Sequence, residues 1–332
     1  MSEDKAFGAE ARKPIIVPFK ASLGPLLALL AVYLLFCLIA PGSFAGAANL
    51  ELILRQTTIV AIAALGMTLV IISGGIDLSI GSVVALSTVT IAWLLNQHVD
   101  PWVAALGGIA TGTLCGAING FLIARMKMVP FIATLGTLLI LRGVAKGIAR
   151  EQKVDAPLSV LNELLAKLSP EHAWQLLPTG SWLLLVLSIF VALLLRYTRL
   201  GLHIVTIGSN MKTAILCGIP VSRIQMSVYV LCGTFTGIAG LMQFSRLTVG
   251  DPTVAVGLEL DAIAAVVIGG GSLTGGQGSV LGTLLGALLM TVIRSGCTQM
   301  GLPNWVQEIV TGAIILVAIA LDRLRQERGK GK

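Results

Sequence analysis

Between Gly269 and Ser279 the chain reads GGGSLTGGQGS, directly after the apolar run AIAAVVI. A glycine-rich turn behind such a run is how phosphate-binding loops present themselves, so nucleotide binding is the first chemistry to test. The residues that would do the work are missing. A GxxxxGK[ST] loop needs a lysine for the terminal phosphates and a hydroxyl for magnesium. Here Gly270 to Gly275 is followed by Gly276 and Gln277, and no lysine lies between Lys212 and Lys330. A dinucleotide GxGxxG begun at Gly269 ends on Thr274, with no ribose-binding acid in a strand-helix-strand setting behind it.

Hydrolytic and metal chemistry fare no better. A nucleophile elbow GxSxG is missed at Thr274, and His98, His172 and His203 are scattered, each in an expected loop. Glu259 and Asp261 are two residues apart and so point to different helix faces. Cys37, Cys115, Cys217, Cys232 and Cys297 form no CxxC pair and read as small core residues. No enzyme activity, cofactor or metal is expected of this chain.

The elements that must position any site are membrane helices. Of the 332 residues 55% are hydrophobic and only 12% charged, far from a soluble domain. The 38 glycines suit helices that pack closely in lipid. The expected fold is all-α, a polytopic membrane helix bundle with broken helices and an internal repeat. It has about ten spans, near 22–40, 54–73, 79–96, 102–124, 129–149, 181–196, 225–246, 258–271, 279–296 and 304–321. A cytoplasmic segment 1–21 precedes this domain of 22–321, whose inside loop is 196–224, and a basic tail 322–332 follows. The first span with FAGAAN behind it could pass for a cleaved signal peptide, but nine further spans favour an uncleaved helix.

Charge sets the orientation. With both termini inside, about 15 of the 23 Lys and Arg fall on the cytoplasmic side, and the outside holds only Arg150, Lys153 and Lys167. The net charge of +7 lies between apolar runs rather than on one polar face, so no nucleic-acid partner is expected. The outside segment 149–180, broken by Pro157, Pro170 and Pro178, reads as a folded-over loop with one short helix at LSVLNELLAKL. SGGIDLSIGSVVAL at Ser73–Leu86 echoes IGGGSLTGGQGSVLG, the sign of a repeat whose broken helices meet near a central site.

Polar residues inside spans are costly and mark either helix bridges or a solute path. Asp77, Ser79, Asn119, Thr134 and Asp261 are the path candidates, with Gln243 and Thr236 weaker ones. For Asp77 the competing role is a cap on the following helix, with Ser79 helping. Arg142, Lys146, Arg246 and Arg294 read as cations snorkelling to the interface. In the inside loop IGSNMKTAILCGIP, Ser209 or Asn210 can cap a stub from Met211 to Cys217, with Ala214, Ile215 and Leu216 apolar; Gly218 permits a left-handed exit and Pro220 stops it. Such a stub could rest on lipid or dock into a soluble partner.

GMTLVIISGGIDLSIGS, VPFIATLGTLLILRG, TRLG, IGSN with its stub ending in GIPVSRIQ, and ELDAIAAVVIGGGSLTGGQGSVLGTLLGALL together resemble the permease subunits of bacterial ABC importers for monosaccharides, the ribose, xylose and galactose type. The resemblance implies a homodimer in the inner membrane, an ATP-hydrolysing cassette subunit, a periplasmic sugar-binding protein and a monosaccharide cargo. It also implies that Ser209, Asn210, Ala214, Leu216 and Gly218 couple to the ATPase. An ion-coupled transporter, a scaffolding membrane protein, or a permease for a quorum signal or inositol remain the alternatives.

Overall fold

In lipid a backbone must satisfy its own polar groups, and long apolar runs do so as helices. A computed structural model of the chain describes residues 23–167 and 177–330. The expected segment 1–21, and Pro170 and His172 of the outside loop, lie outside the described residues. Twelve helices appear among those described. Ten match the expected spans: α1 (Leu23–Ile39), α2 (Ala47–Ile72), α3 (Ile80–Asn96), α4 (Pro101–Ala124), α5 (Pro130–Ile148), α6 (Thr179–Tyr197), α9 (Val221–Leu247), α10 (Leu258–Ile268), α11 (Val280–Gln299) and α12 (Asn304–Lys330). Between α6 and α9 lie α7 (Arg199–Ser209) and α8 (Met211–Leu216). His203 therefore sits in α7, not in a loop, and α12 runs on into the expected tail as far as Lys330. By length and composition α2, α4, α5, α6, α9 and α11 can cross a membrane, and α1, α3 and Asn304–Val317 are shorter apolar helices.

Helix starts follow local chemistry. Asp100 accepts from the Trp102 backbone N–H at 2.9 Å, with Pro101 preset at the first helical position. Pro130 opens α5 in the same way. Exposed leucines, isoleucines and phenylalanines cover the outer faces of α1, α4, α5 and α6, while α2 and α3 are buried almost all round. Helices α4 and α9 pack closely along their length, where Gly112 and Gly116 face Gly233 and Gly237. A Cβ on Gly112 would stand 2.6 Å from the Gly237 Cα, and one on Gly116 2.9 Å from the Gly233 Cα. Only glycine permits that approach.

One end of the bundle carries the 149–180 loop and the other carries α7 and α8; we call them the loop end and the coupling end. The loop end departs from expectation. LSVLNELLAKL forms one 3-10 turn, Val160–Glu163, and no α-helix among its described residues. Tertiary partners take its backbone groups: Arg55 Nε donates to the Leu165 carbonyl at 2.6 Å, and the Leu165 N–H donates to Ser245 Oγ at 2.8 Å. Leu161 and Leu165 are buried beneath. Beside it, β1 (Val154–Asp155) pairs antiparallel with β2 (Val249–Gly250), a feature without sequence warning.

The eighth span is discontinuous. Asp251 lies by Thr88, midway along α3 beneath the loop end, its N–H donating to the Thr88 hydroxyl at 3.2 Å. Four residues on, the Ala255 carbonyl lies against Gly81, one residue into α3. α3 rises about 22 Å from Gly81 to Asn96, which itself donates to the Asp155 carbonyl at the loop end. Residues 251–257 therefore descend into the bundle as extended chain and turns. Eleven helical residues of α10, about 16 Å, then complete the crossing. Arg142 holds the descending segment, donating to the carbonyls of Pro252 at 3.0 Å and Val254 at 2.7 Å. Irregular backbone at membrane depth needs such partners.

Candidate functional site

Three polar centres emerge, and the first is the break between α2 and α3. Asp77 Oδ1 accepts from the Ser79 N–H at 2.9 Å and the Ser79 hydroxyl at 2.6 Å, just ahead of the first residue of α3. Asn119 on α4 donates to Ser79 Oγ at 2.8 Å and accepts from the Thr137 hydroxyl of α5 at 2.8 Å. Thr134 donates back to Pro130 at 2.9 Å and, more weakly, to the Ile76 carbonyl at 3.3 Å. Four of the five path candidates thus meet in one node that ties the break to α4 and α5. All four are buried, and none of them borders either of the cavities below.

The fifth candidate stands elsewhere. Asp261 lies in the first turn of α10, where a carboxylate complements the positive helix end. Its Oδ2 pairs with Arg294 of α11 at 2.7 Å, and the carboxylate is buried. A cavity of about 230 Å³ opens beside it, walled by α2, α9, α10 and α11 and bordered by Gln56, Gln243, Arg246, Asp261, Thr291 and Arg294. On its other side a groove of about 630 Å³ runs along α12 past Asn304, Gln307 and Glu308. Val256, Asp261 and Arg294 belong to both, so the ion pair stands between groove and cavity. Of the four cations read as snorkelling, Arg142 is instead held inward by carbonyls; Arg294 pairs with a carboxylate, and half-buried Arg246 borders the cavity. Lys146 and Arg294 are exposed, the Arg294 side chain at 48%.

The third centre is the coupling end. Asn210 caps α8 by accepting from the Thr213 N–H at 3.0 Å, whereas the Ser209 hydroxyl turns back to the Val205 carbonyl at 2.9 Å. Gly218 leaves α8 with φ +75°, as the sequence suggests. Ala214 is fully buried against its own chain; the outward apolar face belongs to Ile215 and Leu216, with Met211. GGGSLTGGQGS packs here. The Gly276 N–H donates to the Ile72 carbonyl at the end of α2 at 2.8 Å. Gly208 of α7 fits between them, where a Cβ would collide with the Ile72 oxygen and stand 2.5 Å from Gly276 N. The two glycine-rich breaks that echo each other in sequence thus meet at the end of α7, Gly275 lying against Gly74 and Gly208.

Thr137, Gly208 and Gln56 escaped sequence reasoning. Thr137 carries a usable signal, one helical turn after Thr134. Arg294 and Asp261 carry another, as opposite charges in neighbouring spans that lipid drives together.

The chain matches, over residues 49–319, a family described as branched-chain amino acid transport system / permease component. It is 37% identical over 301 residues to the ribose import permease protein of Escherichia coli (strain K12), covering 91% of this chain and 93% of that one. Against the ribose import permease protein of Bacillus subtilis (strain 168) it is 36% identical, covering 91% and 92%. Against the fructose import permease protein of Rhizobium meliloti it is 34% identical, covering 90% and 84%. No solved structure matches. The helix bundle with its broken spans, and a match along nine-tenths of the relatives' length, lead to one conclusion: this multi-pass inner-membrane protein belongs to the permease-component family of ABC importers, among the sugar permeases.

Proposed function

We propose that the chain carries a monosaccharide, ribose or a related pentose or hexose, into the cell. A separate ATP-hydrolysing subunit powers it, a periplasmic binding protein delivers the sugar, and two copies of this chain flank the path. The cargo rests on the names of the relatives, which are ribose, arabinose and fructose permeases. Orientation rests on the basic residues, most of which fall at the coupling end, making that end and both termini cytoplasmic.

The observation that carries the proposal is the capped stub α8, which holds Ile215 and Leu216 out from the bundle at 58% and 87% exposure. A firmly built helix with an unpaired apolar face fits a partner's groove. Movement of that partner then reaches the bundle through Gly208, wedged between α2 and the glycine loop. The node of Asp77, Ser79, Asn119 and Thr134 holds the α2–α3 break in place during the motion, and Asp261 lies on the path.

The test is reconstitution with the partner ATP-hydrolysing subunit. The double variant Ile215→Asp, Leu216→Asp loses co-purification of the ATPase and ATP-driven sugar uptake, while remaining monodisperse in detergent. Uptake by proteoliposomes holding this chain alone, driven by a proton gradient without ATP, sinks the proposal.

A further inference from the structure

The cavity beside Asp261 carries more than a path. It is built where a span is broken: residues 254–256 of the descending segment form one wall, and the first turn of α10 forms the next. Discontinuous helices with ends near the membrane centre are where transport proteins expose polar backbone and charged groups to a solute. The volume of about 230 Å³ is below the roughly 300 to 1,000 Å³ of pockets for drug-sized ligands, a size for one small solute.

Two buried polar atoms of its lining residues make no hydrogen bond within the protein. Asp261 is 2% exposed; its Oδ2 is taken by Arg294 but its Oδ1 is unpartnered. Arg246 Nε is likewise buried and unpartnered. Leaving such groups unsatisfied costs stability, so their retention on a cavity wall calls for a ligand that satisfies them. One is an acceptor and the other a donor, which is the pattern a hydroxyl complements, since it gives one hydrogen bond and takes others. Gln56 and Gln243 add amides that do both. Thr291 already donates to the Ala287 carbonyl at 2.9 Å and so offers lone pairs. Asp261 and Arg294 neutralise each other and Arg246 attracts an anion, but an anion satisfies only Arg246 Nε, whereas a hydroxyl satisfies both unpartnered atoms.

We propose that this cavity is a hydroxyl-recognising site within the permease itself, in which Asp261 Oδ1 and Arg246 Nε bind an uncharged sugar in transit, so that the permease and not only the binding protein selects the cargo. The inference rests on the sugar-importer reading above. Arg294 positions Asp261 and leaves one oxygen free for the solute. Affinity here is weak, since a solute held tightly would not leave.

The experiment uses the assembled importer in proteoliposomes with saturating loaded binding protein, measuring sugar uptake and ATP hydrolysis together. Wild-type uptake is the control for the importer reading; its absence sinks that reading and not only this site. With wild-type uptake present, Arg246→Gln and Asp261→Asn each lower the uptake rate about tenfold or more. Hydrolysis stimulated by the binding protein stays within twofold. Because Asp261→Asn also weakens the Arg294 pair, Thr291→Phe supplies a second arm that fills the cavity without touching a charge, and it blocks uptake as well. Variants are compared only when monodisperse in detergent. Undiminished uptake by Arg246→Gln and Thr291→Phe overturns the proposal, as does equal loss of uptake and hydrolysis in all three variants.

Discussion

Replacing Gly112 by alanine adds one methyl group to the α4–α9 contact, and the structure says what it meets. The new Cβ stands 2.6 Å from the Gly237 Cα and 2.7 Å from its N, both backbone atoms that cannot rotate away. Carbon contacts settle at about 3.5 to 4.0 Å, so the helices must part by about 1 Å, a gap that forfeits up to half of each dispersion contact along the seam. Overpacking of this kind costs about 1 to 3 kcal/mol. Against it works a helix-propensity gain of about 1 kcal/mol from Gly to Ala. Gly136 on α5 isolates the two effects, because a Cβ there meets nothing within 4 Å. Gly136→Ala keeps the propensity gain and holds or raises stability, while Gly112→Ala lowers it, a difference of about 2 kcal/mol or a few degrees in Tm. The assay is thermal unfolding in detergent followed by a thiol-reactive dye, in a Cys217→Ser background that removes the exposed thiol. Cys115 and Cys232 are buried on α4 and α9 themselves and report the seam directly. Equal melting temperatures for the two variants refute the close-packing argument.

The node and the coupling junction yield further expectations. Asn119→Leu removes the bonds to Ser79 and from Thr137, leaves Asp77 less satisfied, and destabilises by about 2 to 3 kcal/mol in the same dye assay. Gly208→Ala drives a methyl into the Ile72 carbonyl and the Gly276 N–H; the ATPase still co-purifies, but sugar uptake falls well below hydrolysis. At the loop end, partial burial raises the Asp251 carboxyl, but bonds from the Thr253 hydroxyl and N–H and the Lys153 ammonium outweigh it and hold it below its ordinary range. A carboxylate depressed on folding stabilises above its unfolded pKa of about 4 and loses that contribution as pH falls through the lower folded value. Limited proteolysis of 150–167 should therefore accelerate only under acid conditions, and Asp251→Asn should abolish the acid dependence.

What the sequence made legible are the features set by neighbours along the chain. Ten apolar runs gave ten helices, and SNMKTAILCGIP gave a capped stub, because caps, stops and span lengths are local chemistry. The descending segment DPTVAVG was hidden, since nothing within seven residues distinguishes a surface turn from one that enters the bundle. Its depth comes from Arg142, more than a hundred residues earlier. LSVLNELLAKL failed in the opposite sense: its helical pattern is sound, but Arg55 and Ser245 capture its backbone. Ala214 and Leu216 are both apolar on paper, and only packing decides that one is buried and the other exposed.

GGGSLTGGQGS shows how a misleading motif becomes informative once its neighbours are known. Its glycines do not cradle phosphate; they let three backbone segments, the ends of α2 and α7 and the loop itself, approach too closely for any side chain. Close contact between backbones transmits displacement stiffly, because no rotamer can absorb it. One of those segments, α2, is a 26-residue helix about 39 Å long, and Gln56, Ile59 and Val60 on its far half border the cavity beside Asp261. A shift of α7 and α8 at the coupling end is therefore felt at the cavity wall through one rigid element. Coupling between the two ends requires no relay of side chains, and substitutions along the exposed faces of α5 and α6 should leave it intact.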